Sequence, residues 1–171
     1  SLEFTGLSGL IVDQTTIGRT DGKAGEWTVD QCTIDAGNIA VTNGSFLLTG
    51  GSVLDAVGVM TVGDADFDGE VVISSGSTLF LEDESWSTWE LDIQRGLVEL
   101  AGGSGVECME VGANIAFAGT LAATDGQVVT PILNNAGRII SDVSSGDGFS
   151  LTGPYYQIGE DDEGNIITGQ I

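Results

Sequence analysis

The chain has 171 residues, 41% of them hydrophobic, with 26 Asp and Glu against four Lys and Arg, no His, and a formal net charge of −22. The hydrophobic share excludes a disordered chain and fits one domain with its own core. The charge excludes a nucleic-acid partner, because Lys23, Arg19, Arg95 and Arg138 cannot replace the counterions of a phosphate backbone, and it opposes an anionic membrane surface.

In chain order, residues 1–24 begin with "SLEFTGLSGL", which lacks the basic segment of a secretory signal. Either a signal has been removed or Ser1 followed an excised initiator methionine. The stretch "LSGLIVDQTTIG" and the polar "RTDGKAG" after it read as an N-terminal cap or docking segment. From 25 to 145 come short β-rich runs between small-residue corners: "EWTVDQCTI", "NIAVT", "SFLLT", "GVMTV", "EVVIS", "STLFLED", "TWELDI", "LVEL", "NIAFA", "QVVTPIL" and "RIISDV". Trp27 with Val29, Leu79 with Leu81, and Trp89 with Leu91 and Ile93 alternate apolar with polar neighbours, the period of strands with one buried face. "TNGSF" at 42–46 is the main hairpin signal. The other corners are "GGS" (50–52), "SGS" (75–77), "GGSG" (102–105) and "SSGDG" (144–148). No stretch has helical periodicity, and no apolar run approaches the roughly 20 residues of a spanning helix. Residues 146–171, with an acidic turn "GEDDEGN" and a final "NIITGQI", read as a C-terminal cap or strand.

This pattern predicts an all-β chain: a short parallel β-helix with three strands per coil and capping ends, with a β-sandwich or jelly roll as the alternative. The segments "SSGSTLFLED" and "TNGSFLLTGGSVL" resemble rungs of the right-handed β-helices of bacterial surface adhesins and of phage and viral tail or spike proteins. The resemblance is one of rung texture over residues 25–145. It implies that fold and a setting on a particle or outside cells, and it carries no catalytic residue.

The nearest thing to a chemical motif is "DADFDGE". Asp64, Asp66, Asp68 and Gly69 match the opening of an Asp-x-Asp-x-Asp-Gly calcium loop, but the bidentate acid is absent, Ser75 standing at position 12. Two alternatives are open: a Ca2+ corner completed by Glu70 or an acid from a neighbouring rung, or a solvated acidic turn. "GGSGVE" (102–107) is one imperfect copy of a calcium-roll repeat. In "EDESWSTWE" (82–90), alternation assigns Trp89 to the core and Trp86 to the surface, as a carbohydrate or partner contact. Cys32 and Cys108 are either one disulfide or two buried thiols. Asn43 opens an "NGS" sequon.

Without histidine, Ser-His-Asp and Cys-His centres cannot be assembled; a two-carboxylate glycosidase is the remaining enzymatic possibility. The sequence therefore leads to a non-enzymatic structural or attachment protein on a virus particle: a decoration, spike or tail component. It would be a homo-oligomer, with a trimer expected, in contact with other virion or surface proteins. The alternative is a secreted adhesin or carbohydrate-binding module with a calcium-stabilised turn.

Overall fold

The computed structural model describes residues 1–18, 24–82, 88–142, 147–157, 159–160 and 166–167. Among them every regular element is a strand, and three strands close each coil. The first coil is β1 (Leu2–Thr5), β2 (Ser8–Val12) and β3 (Thr15–Ile17), the second β4 (Gly25–Asp30), β5 (Thr33–Ala36) and β6 (Ile39–Val41), the third β7 (Gly44–Thr49), β8 (Val53–Ala56) and β9 (Met60–Val62). Then follow β10 (Gly69–Ile73), β11 (Thr78–Leu81), β12 (Leu91–Leu100), β13 (Ser104–Cys108), β14 (Ala113–Ala123), β15 (Asp125–Val129) and β16 (Leu133–Asn135). The last coil is β17 (Arg138–Ser141), β18 (Gly148–Thr152) and β19 (Tyr155–Gln157); β20 (Gly159–Glu160) and β21 (Ile166–Ile167) form a separate antiparallel pair.

Every strand of the coils pairs in parallel with its counterpart one coil away, giving a β-solenoid of seven coils, about six full turns from first to last. The first face stacks β1, β4, β7, β10, the second halves of β12 and β14, and β17; the second face stacks β2, β5, β8, β11, β13, β15 and β18. The third face stacks β3, β6, β9, the first halves of β12 and β14, β16 and β19. Parallel pairing throughout rules out the antiparallel sandwich. Within the N-terminal segment 1–24, β1, β2 and β3 pair in parallel with the second coil, with a register shift between Ser8 and Leu10.

The interior consists of aliphatic rows running from coil to coil. Val29, Leu48, Ile73 and Leu100 form one row on the first face; Ile34, Leu54, Leu79, Val106 and Val128 form one on the second; Val41, Val62, Ile93 and Ile115 form one on the third. Each such side chain contributes about 1.5–3 kcal/mol by leaving water, and this burial is the driving force for winding the chain. Leu91 and Ile93 point inward as their alternation requires, but Trp89 is only half-buried. A bend at Glu90 breaks the strand there and turns that acid inward instead.

The three corners differ in kind. The first corner, between the first and second faces, contains the "GGS", "SGS" and "GGSG" segments. Its residues Gly50, Gly51, Ser75, Gly76, Gly102 and Gly103 have φ from 57° to 73°, left-handed backbone that glycine adopts without penalty. After them come the buried Ser52, Ser77 and Ser104, stacked beneath Cys32. Each hydroxyl supports its neighbours: the Cys32 N–H donates to Ser52 Oγ at 3.1 Å, the Ser52 N–H donates to Ser77 Oγ at 3.1 Å, and Ser104 Oγ donates to the Ile73 carbonyl at 2.7 Å.

The third corner, from the third face back to the first, is entered by a glycine in every coil from the second to the seventh: Gly25, Gly44, Gly69, Gly96, Gly119 and Gly137. A Cβ at Gly96 would collide with the Gly69 carbonyl oxygen, and one at Gly119 with that of Ile93. "TNGSF" lies at this corner. Asn43, with φ of 57°, turns the chain between β6 and β7 of the parallel stack, so no hairpin forms there.

The two cysteines are free and buried. They sit three coils apart, a separation of about 14 Å at the spacing of neighbouring strands, and on different corners. No disulfide can span that distance.

Candidate functional site

The acidic loop at 63–68 joins β9 to β10 at the third corner. One of its carboxylates, Asp64, is spent on the turn itself. Asp64 Oδ1 accepts the N–H groups of Asp66 and Phe67, both at 2.8 Å, and the Asp64 N–H donates to the Phe67 carbonyl at 3.0 Å. This is the local side chain-to-backbone pairing with which aspartate stabilises turns. Asp68 Oδ1 instead receives Arg95 Nε at 2.8 Å, and Arg95 Nη1 donates to the Ala65 carbonyl at 3.2 Å. Glu70 projects from the exposed side of β10. Among the described residues no three acidic or sulfur side chains converge as a metal cage. In this arrangement Asp64 is bonded to its own turn and Asp68 to a guanidinium, and Asp66 and Glu70 do not join them in a cage.

Beside that loop the third corner opens into a groove of ≈ 460 Å³. Its polar lining comes from Asp64, Asp92, Gln94, Arg95 and Asn114, brought together from three successive coils. A ladder of side chains forms the floor. Asn114 Nδ2 donates to Asp92 Oδ1 at 2.8 Å, Asn134 Nδ2 donates to Asn114 Oδ1 at 2.7 Å, and Gln94 Nε2 donates to Asp92 Oδ2 at 2.9 Å. The far wall is a β-bulge. Between the paired Ile93/Ile115 and Arg95/Ala118, β12 has one residue, Gln94, and β14 has two, Ala116 and Phe117. An extra residue bends its strand and re-aims a side chain. Here it leaves Phe117 83% exposed, between the groove-lining Ala116 and Ala118.

A second unusual site sits at the remaining corner, between the second and third faces. Glu90 is fully buried, yet its carboxylate accepts four consecutive backbone N–H groups of the next coil. Met109 and Glu110 donate to Oε1 at 2.9 and 3.0 Å, and Val111 and Gly112 donate to Oε2, both at 2.8 Å. Such a concave run of amides is an anion nest, and here the protein fills it with its own side chain. Burial first, and the nearby Glu90 carboxylate second, push the Cys108 thiol from its ordinary 9.0 up to about 12. Cys108 is therefore an inert core thiol, not a nucleophile.

Trp86, the expected surface tryptophan, lies outside the described residues. Sequence patterns missed the groove, the ladder and Glu90. Their signals were faint: one outward polar residue in each of "LDI", "ANI" and "LNN", and a lone acid among many in "EDESWSTWE". Comparison with protein-family models, with curated proteins and with solved structures finds no match to this chain.

Proposed function

We propose that this chain is a non-enzymatic structural and attachment module, displayed on a virus particle or on a cell surface. The observation that carries this reading is the stack itself. Apolar rows run through successive coils, so the molecule is a stiff rod. Such a body suits holding and presenting a surface better than closing around a substrate. The carboxylates of the groove also favour a passive role: Asp64 is occupied by its own turn and Asp92 by two amides, neither poised as a general acid or nucleophile. The −22 charge would keep neighbouring rods apart and soluble.

Immunogold labelling of intact producing cells and their released particles, with mass spectrometry of the washed fractions, tests the placement. The expected result is label on an outer surface and recovery of the chain with particles or envelopes. Recovery only from the soluble cell interior would overturn it.

A further inference from the structure

Charge is unevenly distributed over the solenoid. On the second face, Asp35 and Asp55 stack directly in the outward column, with Phe80 and Glu107 continuing it. Like charges at that spacing repel. The third face is different. Its outward column reads Thr16, Ala40, Thr61, Asp92, Asn114, Asn134 and Tyr156, with a single carboxylate. That carboxylate is held by Asn114 and Gln94. A chain with 26 acids thus keeps one long stripe of hydroxyls and amides almost uncharged, and the groove opens beside it.

We infer that this groove binds an uncharged polysaccharide, lying along the coil axis, with its hydroxyls on Gln94 and Asn114 and a ring face on Phe117. The inference rests on the attachment reading and gives that attachment its ligand class. Three features carry it. First, the amides are pre-ordered: the ladder spends one N–H of Asn114 and of Gln94 internally, and a primary amide has a second N–H to offer. Amides fixed before binding lose little freedom on meeting a hydroxyl. Second, the bulge sets an almost fully exposed phenylalanine, Phe117, opposite Gln94 in the strand register and between Ala116 and Ala118, which line the groove. The apolar C–H face of a sugar ring covers such a surface while its edge hydroxyls bond to the neighbouring polar groups. Third, the one guanidinium in the groove is already paired with Asp68. With Asp64 and Asp92 alongside, the groove repels an anionic polymer, and the almost uncharged column beside it favours a neutral one. The ladder repeats at about 4.8 Å, the spacing of adjacent strands, so consecutive rungs present donors in a row suited to a repeating chain.

Native gels cast with soluble neutral polysaccharides (dextran, mannan, xylan and a β-glucan), and with anionic alginate as a separate arm, test this on the full chain. At least one neutral polymer should retard the protein and alginate should not. Phe117→Ala should weaken the retardation about tenfold, the loss of one aromatic stacking contact. Asn114→Ala should weaken it similarly, and Ile11→Ala, an exposed side chain of the second face, should leave it unchanged. Phe117 is so exposed that its removal should not alter the far-UV circular dichroism melt, which separates lost binding from lost folding. Absence of retardation by every neutral polymer, or retardation equal in the wild type and Phe117→Ala, overturns the inference. Surface labelling combined with no glycan binding would sink the groove alone; glycan binding by a chain confined to the cell interior would sink the attachment reading alone.

Discussion

The first and third corners solve the same problem, turning an extended chain onto the next face, in opposite ways. The first is built alike in three successive coils, at 50–52, 75–77 and 102–104. Left-handed residues make the bend, and a buried serine then accepts or donates hydrogen bonds between coils, so neighbouring turns are clamped by side chains. The third has no stack of buried serines among the described residues, and its length runs from no break at all within β12 and β14 to the seven residues 18–24 between β3 and β4. Only its glycine is constant. The lesson is that one edge holds its register with stacked buried hydroxyls while the other is released from that constraint, and the acidic loop, the groove and Phe117 all lie on the released edge.

Substitutions at each edge measure that difference. The largest loss is expected from Gly96→Val at the third corner. Its φ of 106° and the adjacent Gly69 carbonyl leave no place for a branched side chain, and urea denaturation should show about 4 kcal/mol less stability. Glu90→Ala should follow at about 3 kcal/mol by the same measurement, because it strands four backbone donors in a buried nest. Ser104→Ala at the first corner removes the hydroxyl that bonds Ile73 and Ala101, and should cost about 1–2 kcal/mol. A Ser104→Ala loss equal to that of Gly96→Val would erase the distinction between the clamped and the released edge.

Alkali should act through Cys108. A thiol raised to about 12 when folded, against 9.0 unfolded, keeps its proton in the folded chain after the unfolded chain has lost it. Stability is therefore level with respect to this group below pH 9 and falls as pH rises from 9 towards 12, by about 1 kcal/mol per pH unit. Cys108→Ala should flatten that decline in melts taken across the range. The smallest effect concerns the acidic loop: adding Ca2+ or a chelator should leave the melting temperature unchanged, because Asp64 and Asp68 already have partners.

The sequence carried the clamped edge openly. Left-handed backbone demands glycine, so "GGS", "SGS" and "GGSG" stood out as corners, and alternation placed Val29, Leu79, Leu81, Leu91 and Ile93 correctly inside. The glycine series of the released edge was hidden by its own insertions. Its members stand 18 to 27 residues apart, so no fixed period exposes them. The "DADFDGE" loop stayed open between two readings: carboxylate spacing is visible in a sequence, but whether a turn's own amides take up the oxygens is not. The groove was illegible because its polar groups come from segments more than 20 residues apart in the chain and meet only when coils stack.

The stacking geometry also decides how this rod would fail under load. All its inter-coil hydrogen bonds point along the long axis, so a pull applied at the two ends strains one coil's bonds at a time rather than sharing the burden. The rod should unzip turn by turn under tension, yet resist a sideways tug in which whole strands must slide past one another together.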